Sequence, residues 1–222
     1  MAPDSLPLFP LATVLFPGMV LPLHIFEPRY RKMFAARIDD DPIFGIILTR
    51  SGREVGDQPE IHSVGTSATL LQAVRYDDGR VDLAVRGGRR FRVLEGHWDE
   101  GYLTASVEWL AEDQGNRSEA EAAQLAEKVR EAFAAYLESL ERTMGKQFEP
   151  PEIGGGPEEI GYAVCAMMPF GTAASQRLLE TEPTAPLLHE LVSMLRRERE
   201  LLLATGIGGS AMSHPGRGFS AN

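Results

Sequence analysis

The chain has 222 residues, 43% hydrophobic and 24% charged, a balance ordinary for a soluble globular protein of one domain or two small ones. Its 32 acidic residues against 22 basic ones give a net charge of −10, which repels a phosphate backbone and sets nucleic-acid binding back as a class. A single cysteine, Cys165, excludes an internal disulfide and fits a reducing compartment.

At the N-terminus, Met1-Ala-Pro-Asp-Ser5 lacks a basic stretch. Pro7, Pro10, Pro17 and Pro22 interrupt any apolar helix, so no secretory signal is expected. No apolar run reaches the ~18 residues that a membrane-spanning helix needs, and a cytoplasmic location is the expectation. Between residues 6 and 26, short apolar runs alternate with prolines, which predicts extended strands and loops. Thr13–Phe16 is one short strand candidate, and Met19–Phe26 is another, with Pro22 marking an edge or bulge. Tyr30, Met33, Phe34 and Ile38 then fall at helical spacing. Pro28 suits a first helical position and Glu27 suits the positive end of a helix dipole. Together they predict a short helix over 28–37 whose apolar face packs on the strands.

Ile43–Thr49 reads as a buried strand, residues 50–60 as a polar loop, and Val64–Tyr76 as a further strand. Asp77-Asp-Gly-Arg80 is a hairpin signal, because Asp-Gly accepts a positive φ. Val81–Val85 alternates as the return strand. Arg89–Leu94 follows Gly87-Gly88 as another, and Tyr102–Leu110 adds one more. Short strands with one helix predict a compact, barrel-like β unit over 1–112. Composition changes at Gln114–Ser118, and Ser118-Glu-Ala-Glu121 reads as a capping box. Leu125, Val129, Phe133, Tyr136, Leu137, Leu140 and Met144 then form the apolar stripe of a long helix. Pro150, Pro151 and Gly154–Gly156 break it, and Pro157 starts a helix to Met168. Pro169–Gly171 precedes a short helix to Glu180. After Pro183, Thr184 can cap a last helix to about Ala204, with Leu187, Leu188, Leu191, Leu195, Leu201 and Leu202 along it. These four helices make a helical unit over 117–205. The Gly/Ser-rich residues 206–222 are expected to be disordered.

Leu6-Pro-Leu-Phe-Pro10, Val14-Leu-Phe-Pro-Gly18 and Leu21-Pro-Leu-His-Ile-Phe-Glu-Pro-Arg-Tyr30 form a dense run that resembles the start of the Lon N-terminal, or Lon substrate-binding, domain family. Phe44-Gly45, Val64-Gly-Thr66, Asp78-Gly-Arg80, Gly88-Arg-Arg-Phe-Arg92 and Gln176-Arg-Leu-Leu-Glu180 resemble its later landmarks, in the same order. The likeness spans about residues 6 to 203. One departure is Leu187-Leu188, which stand where the family usually shows an Arg-Leu pair opening the last helix. The resemblance implies an α+β fold: a PUA-like β pseudo-barrel followed by a C-terminal helical bundle. It also implies a role in recognising other proteins, since in full Lon proteases this domain precedes an ATPase and a peptidase and helps engage unfolded substrates. The chain looks like a freestanding version of the domain. The expected function is a non-catalytic module that binds unfolded polypeptide or a protein partner. The alternative is a PUA-like small-ligand or RNA-binding module.

The residues give little sign of catalysis. No G-x-x-x-x-G-K-[ST] motif occurs, and the glycines at 154–156 are followed by Pro-Glu-Glu, which would repel phosphate. Lys32, Lys128 and Lys146, the chain's lysines, lie in no setting that resembles the serine–lysine dyad of the Lon peptidase. No enzyme activity and no cofactor are therefore expected. His24, His62, His97, His189 and His214 show no H-x-x-x-H spacing and no C-x-x-C is present, so no metal site is expected either. Cys165 sits mid-helix among apolar residues and reads as a buried structural thiol, with a reactive thiol as the alternative.

Pro17, Gly18, Glu27, Arg29 and Tyr30 are the candidates for a signature or interaction role. Pro17-Gly18 reads most simply as a turn. Glu27 and Arg29 could form a ligand clamp, but a helix cap and an internal hydrogen bond carry more weight. Arg86, Arg89, Arg90 and Arg92 form a basic cluster that reads as a solvated hairpin face or, against the overall acidity, as an RNA contact. Met144, Met167, Met168 and Met194 could line an adaptable groove for unfolded polypeptide or simply fill a core.

Overall fold

The computed structural model describes residues 4–35, 43–51, 58–99, 101–111, 119–147, 151–182, 184–206 and 219–220. The chain divides into two compact units, Met1–Ala111 with Gly216–Asn222, and Glu112–Pro215. Among the described residues no helix is long and apolar enough to cross a membrane.

The first unit runs β1 (Asp4–Leu11), β2 (Val20–Ile25), α1 (Pro28–Ala35), β3 (Ile43–Ser51), β4 (Glu60–Arg75), β5 (Val81–Asp99) and β6 (Tyr102–Trp109). A two-residue strand, β7 (Phe219–Ser220), lies parallel to β2 at Leu23 and His24. The strand order is β4-β3-β1-β6-β5-β2-β7, and a direct β4–β5 pairing closes the first five strands into a ring. Register shifts interrupt the β3–β4, β4–β5 and β5–β6 ladders, so the ring is a pseudo-barrel rather than a clean barrel. Helices follow in the second unit, and the class is α+β.

Two expectations about strands are corrected. Thr13–Phe16 is not a strand; the first strand is β1, which carries Pro7 and Pro10 and lies between β3 and β6. Prolines fit there because the two ladders overlap only at Leu8. β6 pairs with Asp4–Leu8 and β3 with Leu8–Leu11, so each proline has a partner strand on one side only. Val14, Leu15 and Phe16 leave the sheet yet stay buried. The second correction concerns Val81–Val85 and Arg89–Leu94, which are one 19-residue strand, β5. Gly87-Gly88 does not end it. Gly87 is where the chain after β1 comes in: the Gly18 amide donates to the Gly87 carbonyl at 2.8 Å, and the Gly87 amide donates to the Met19 carbonyl at 2.8 Å. A Cβ on Gly87 would collide with the Phe16 carbonyl oxygen.

The expected helix over 28–37 is α1, with its last positions outside the described residues. The expected 50–60 loop shrinks, since β3 runs to Ser51 and β4 starts at Glu60, with 52–57 outside the described residues. Ser118 of the expected capping box and most of 206–222 also lie outside them.

The first unit has two apolar clusters. Phe9, Leu11, Leu21, Leu23, Ile25, Phe44, Ile46, Leu83 and Val85 belong to one, and Tyr30, Met33 and Phe34 of α1 pack into it. Leu6, Leu8, Ile47, Phe91, Leu103, Ala105 and Val107 form the other. β1 and β3 contribute to both, so they are buried on both faces and read as continuous apolar runs. Phe91 is 0% exposed and fills the space left by two glycines. A Cβ on Gly65 would come within 2.7 Å of its ring, and one on Gly45 within 2.6 Å.

The second unit consists, among the described residues, of α2 (Glu119–Met144), α3 (Pro157–Met167), α4 (Thr172–Glu180) and α5 (Thr184–Thr205). α3 starts where the Gly156 amide donates to the Glu159 carboxylate at 2.7 Å. Val129, Phe133, Val164, Leu178, Leu188, Leu191 and Leu195 are buried between these helices. Arg199 of α5 donates to the buried Ser139 hydroxyl of α2 at 3.0 Å, and Arg177 of α4 pairs with Glu190 of α5 at 2.7 Å.

The close approach at Gly87 and the positive φ at Gly18 should be separable by mutation. Gly18 has φ +77° with open space around it, so Gly18→Ala should cost roughly 1–2 kcal/mol and Gly18→Asn less. Gly87→Ala forces two backbones apart and should cost at least as much, roughly 1–3 kcal/mol, with no rescue by Asn. Urea-denaturation midpoints of the variants check this order.

Candidate functional site

The run from Leu15 to Tyr30 builds one corner of the first unit. Pro17-Gly18 makes the turn, closed by the Met19 amide donating to the Phe16 carbonyl at 3.1 Å. β2 then alternates. Leu21, Leu23 and Ile25 enter the core, while Val20 and Pro22 are exposed and His24 is half-buried. Directly opposite on β5 are Arg86, Ala84 and Asp82, and β4 continues the same face with Gln72 and Val74. Val20 is 50% exposed and Val74 45%. The outer face of the β2–β5–β4 ribbon is thus partly apolar and open.

Glu27, Arg29 and Tyr30 are brought together at the start of α1. The Glu27 carbonyl accepts the first helical bond, from the Arg31 amide at 2.9 Å. Its carboxylate accepts from Arg29 Nε at 3.0 Å, with both side chains largely buried. The Arg29 guanidinium lies 4.7 Å from the Tyr30 ring centroid and 5.9 Å from that of Trp98. Tyr30 packs edge-on against Phe9 at 4.3 Å. Arg29 therefore spends its charge inside the fold, tying α1 to β5. Pro17 and Gly18 sit apart from this group, at the turn docked on Gly87. Trp98 escaped the sequence reading because nothing in its local pattern marks it as the partner of Arg29.

The β4–β5 hairpin carries a polar network that sequence spacing did not reveal. Tyr76 closes the turn with Arg80 through a backbone bond of 2.9 Å, and Gly79 takes φ +80°. The Tyr76 hydroxyl donates to Asp82 Oδ2 at 2.6 Å, and His24 Nδ1 bonds Asp82 Oδ1 from β2. His24 also stacks on Phe26 at 6.1 Å. The hydrogen bond from Tyr76, then that from His24, holds the Asp82 carboxyl below the ordinary aspartate range, with Arg80 nearby adding to the effect. The same Tyr76–Asp82 bond raises the phenol of Tyr76. The three groups link β2, β4 and β5 across the exposed face.

The other candidates are dispersed. Cys165 is 2% exposed in α3, and burial pushes its thiol far above the ordinary range, which disfavours a thiolate. Among the described residues no three His, Cys, Asp or Glu side chains are grouped to hold a metal. His214 lies outside the described residues. The four arginines do not form one patch: Arg90 is buried, Arg89 lies 5.1 Å from the Trp109 ring, Arg92 pairs with Glu108 at 3.5 Å, and Arg86 is exposed. Of the methionines, Met168 is buried and Met194 half-buried, while Met144 and Met167 are exposed.

Asp82 gives the site a pH dependence with a defined sign. Its folded value lies below the ordinary 3.8, so the stabilisation is complete above that value and is lost as the pH falls through the lower folded value. Asp82→Asn should lower Tm at neutral pH, and the deficit should shrink as the pH drops below 3.8. Thermal denaturation of both proteins from pH 7 to pH 3 tests this.

Comparison with known proteins places the chain in a family. The family model described as the ATP-dependent protease La (LON) substrate-binding domain matches residues 5–197. Lon protease 1 of Syntrophobacter fumaroxidans is 30% identical over 200 residues, covering 89% of this chain and 24% of the relative. The Lon protease of Flavobacterium johnsoniae is 31% identical over 164 residues, covering 73% of this chain and 18% of the relative. The chain thus spans about a quarter or less of the length of these curated relatives. Among solved structures, the Lon N-terminal domain protein from Xanthomonas campestris is similar with TM-score 0.59 at 25% identity, over 86% of this chain and 98% of that one. The N-terminal domain of the Mycobacterium avium complex Lon protease shares the fold, with TM-score 0.62 at 20% identity, over the same two shares. With residues 5–197 of its 222 matched by that model, the chain belongs to the LON substrate-binding domain family.

Proposed function

We propose that this domain is a non-catalytic recognition module that holds segments of unfolded polypeptide. The observation that carries the reading is the open face of the β2–β5–β4 ribbon. Val20, Pro22 and Val74 stand exposed there beside Tyr76, in a domain whose family is described as substrate-binding. Scattered apolar side chains are normal on a surface; Val20, Pro22 and Val74 lie on one sheet face interspersed with Arg86, Gln72, His24 and Asp82, and together they offer an extended chain both apolar and polar contact. Pro17, Gly18, Glu27, Arg29 and Tyr30 take a scaffolding part: they hold β2 and α1 so that this face is rigid. The buried Cys165 and the family match, which falls on the substrate-binding domain alone, support a binding rather than a chemical role.

The second reading, an RNA or small-ligand module, draws less support. It rests on Arg86, Arg89, Arg90 and Arg92, and those side chains are divided among a core position, an aromatic contact, an ion pair and solvent.

Fluorescence anisotropy with a labelled, permanently unfolded polypeptide tests the proposal, beside a folded control of similar charge. Saturable binding to the unfolded chain alone is expected. Val20→Gln with Val74→Gln should weaken it about tenfold at unchanged Tm, since two half-exposed valines lose apolar contact. Absence of binding, or binding indifferent to both substitutions, would contradict the proposed face.

A further inference from the structure

β2 is paired along its whole length on one side only. Toward β5 the ladder runs from Val20 to Ile25. On the other side Leu23 and His24 meet the two-residue strand β7, in parallel. Among the described residues no strand continues that side beside Val20, Leu21 and Pro22.

The backbone groups of β2 divide between the two sides. In an antiparallel ladder, opposed residues that exchange hydrogen bonds alternate with opposed residues that do not. The Gly87 amide donates to the Met19 carbonyl, one step before the Val20–Arg86 pair. Leu21, Leu23 and Ile25 therefore continue the bonded set and turn their amides and carbonyls toward β5. The backbone groups of Val20, Pro22 and His24 point to the outer edge. Pro22 agrees with this, since a residue without an amide hydrogen fits a strand where that hydrogen would face away from the ladder. The outer edge thus offers carbonyls at Val20, Pro22 and His24 and amides at Val20 and His24. Pro22 blunts the edge without closing it.

We propose that the outer edge of β2 binds an extended polypeptide as an added parallel strand, at the place that β7 marks. The chain's own Phe219–Ser220 shows that this edge accepts a strand and in which direction. The inference rests on the polypeptide-recognition reading above and supplies its mode. Main-chain pairing gives affinity whatever the side chains, which suits an unfolded ligand of no fixed sequence. Alternate side chains of the added strand would extend the face that carries Val20 and Pro22. β7 is then the chain's own occupant, and a bound polypeptide displaces it. A second copy of this chain fits less well: two β2 edges related by a two-fold axis run antiparallel, whereas the seated strand runs parallel.

The test titrates a labelled peptide of about 10 residues alternating Ser with Val, a usual strand length, against a counterpart N-methylated at its central amides. Amide hydrogen exchange is followed in the complex. The plain peptide should slow exchange at Val20 and His24 and leave Leu21, Leu23 and Ile25, already paired with β5, unchanged. The N-methylated peptide should bind about tenfold more weakly, since it has lost main-chain donors and kept its side chains. Pro22→Ala adds an outward amide and should tighten binding about threefold. Phe219→Pro with Ser220→Pro removes the amides of β7 and should also tighten binding about threefold, by removing a tethered competitor. Circular dichroism and Tm establish that each variant is folded. Equal binding of the N-methylated peptide overturns the proposal, as does binding that leaves exchange at Val20 and His24 unchanged. So does an affinity unmoved by both the Pro22 and the β7 substitutions. Protection of Val20 and His24 that grows with protein concentration in the absence of peptide overturns it in favour of a second copy. If unfolded polypeptide binds and is lost on Val20→Gln with Val74→Gln, yet the edge amides stay unprotected, the edge assignment alone fails. If neither the peptide nor the unfolded polypeptide binds, the recognition reading fails with it.

Discussion

Two backbone hydrogen bonds join the Pro17-Gly18 turn to the middle of β5, and the rest of the first unit is arranged around them. Gly18 donates to Gly87 and Gly87 donates to Met19, each at 2.8 Å. They fix where β2 begins, so Leu21, Leu23 and Ile25 face inward and Val20, Pro22 and His24 face outward. A one-residue slip would bury Val20, Pro22 and His24 and expose Leu21, Leu23 and Ile25. β2 in turn delivers Glu27 to the start of α1, where its carboxylate holds Arg29 against Tyr30 and Trp98. α1 then stands beside the β4–β5 hairpin with Arg31 against Gly79. The short proline-rich run thus positions β2 and α1 within the first unit.

Much of this was legible in the residues. Helix spacing in Tyr30, Met33 and Phe34 gave α1 its buried face, and Asp77-Asp-Gly-Arg80 marked the hairpin turn. The helices after residue 118 followed from their apolar stripes and proline breaks. β1 was missed for a physical reason. It is buried on both faces, so it shows no alternation, and its prolines sit where the two ladders barely overlap. The break proposed at Gly87-Gly88 failed because glycine there serves a close approach rather than a turn. Gly45, Gly65 and Phe91 were visible as separate landmarks; only folding shows that one ring fills the space of two glycines. The polar network of His24, Tyr76 and Asp82 was invisible because its members lie 58 and 6 residues apart along the chain.

Tertiary structure, rather than spacing along the chain, decides where the basic residues meet. Arg31, Lys32, Arg75 and Arg80 line one groove between α1 and the β4–β5 turn. Of the arginines that sequence made prominent, Arg89, Arg90 and Arg92 are used for packing and pairing along β5, while Arg86 is exposed. Proximity along the chain was a poor guide to a shared surface, since successive residues of a strand point to opposite faces. The groove draws its cations from α1 and from both sides of a hairpin turn, so tertiary structure alone brings them together.

The central claim is that the docked turn is a rigid support for the outer face of β2 and for α1. Native-state amide hydrogen exchange at Gly18, Gly87 and Arg31 tests it most directly, because each amide donates one of the bonds described. The account predicts that Gly18 and Gly87 exchange only through global unfolding of the unit, with Arg31 protected nearly as well. Rapid exchange at Gly18 and Gly87, at the pace of an open loop, would contradict it: the turn would then be a local embellishment, and the faces would be held by the β4–β5 ladder alone.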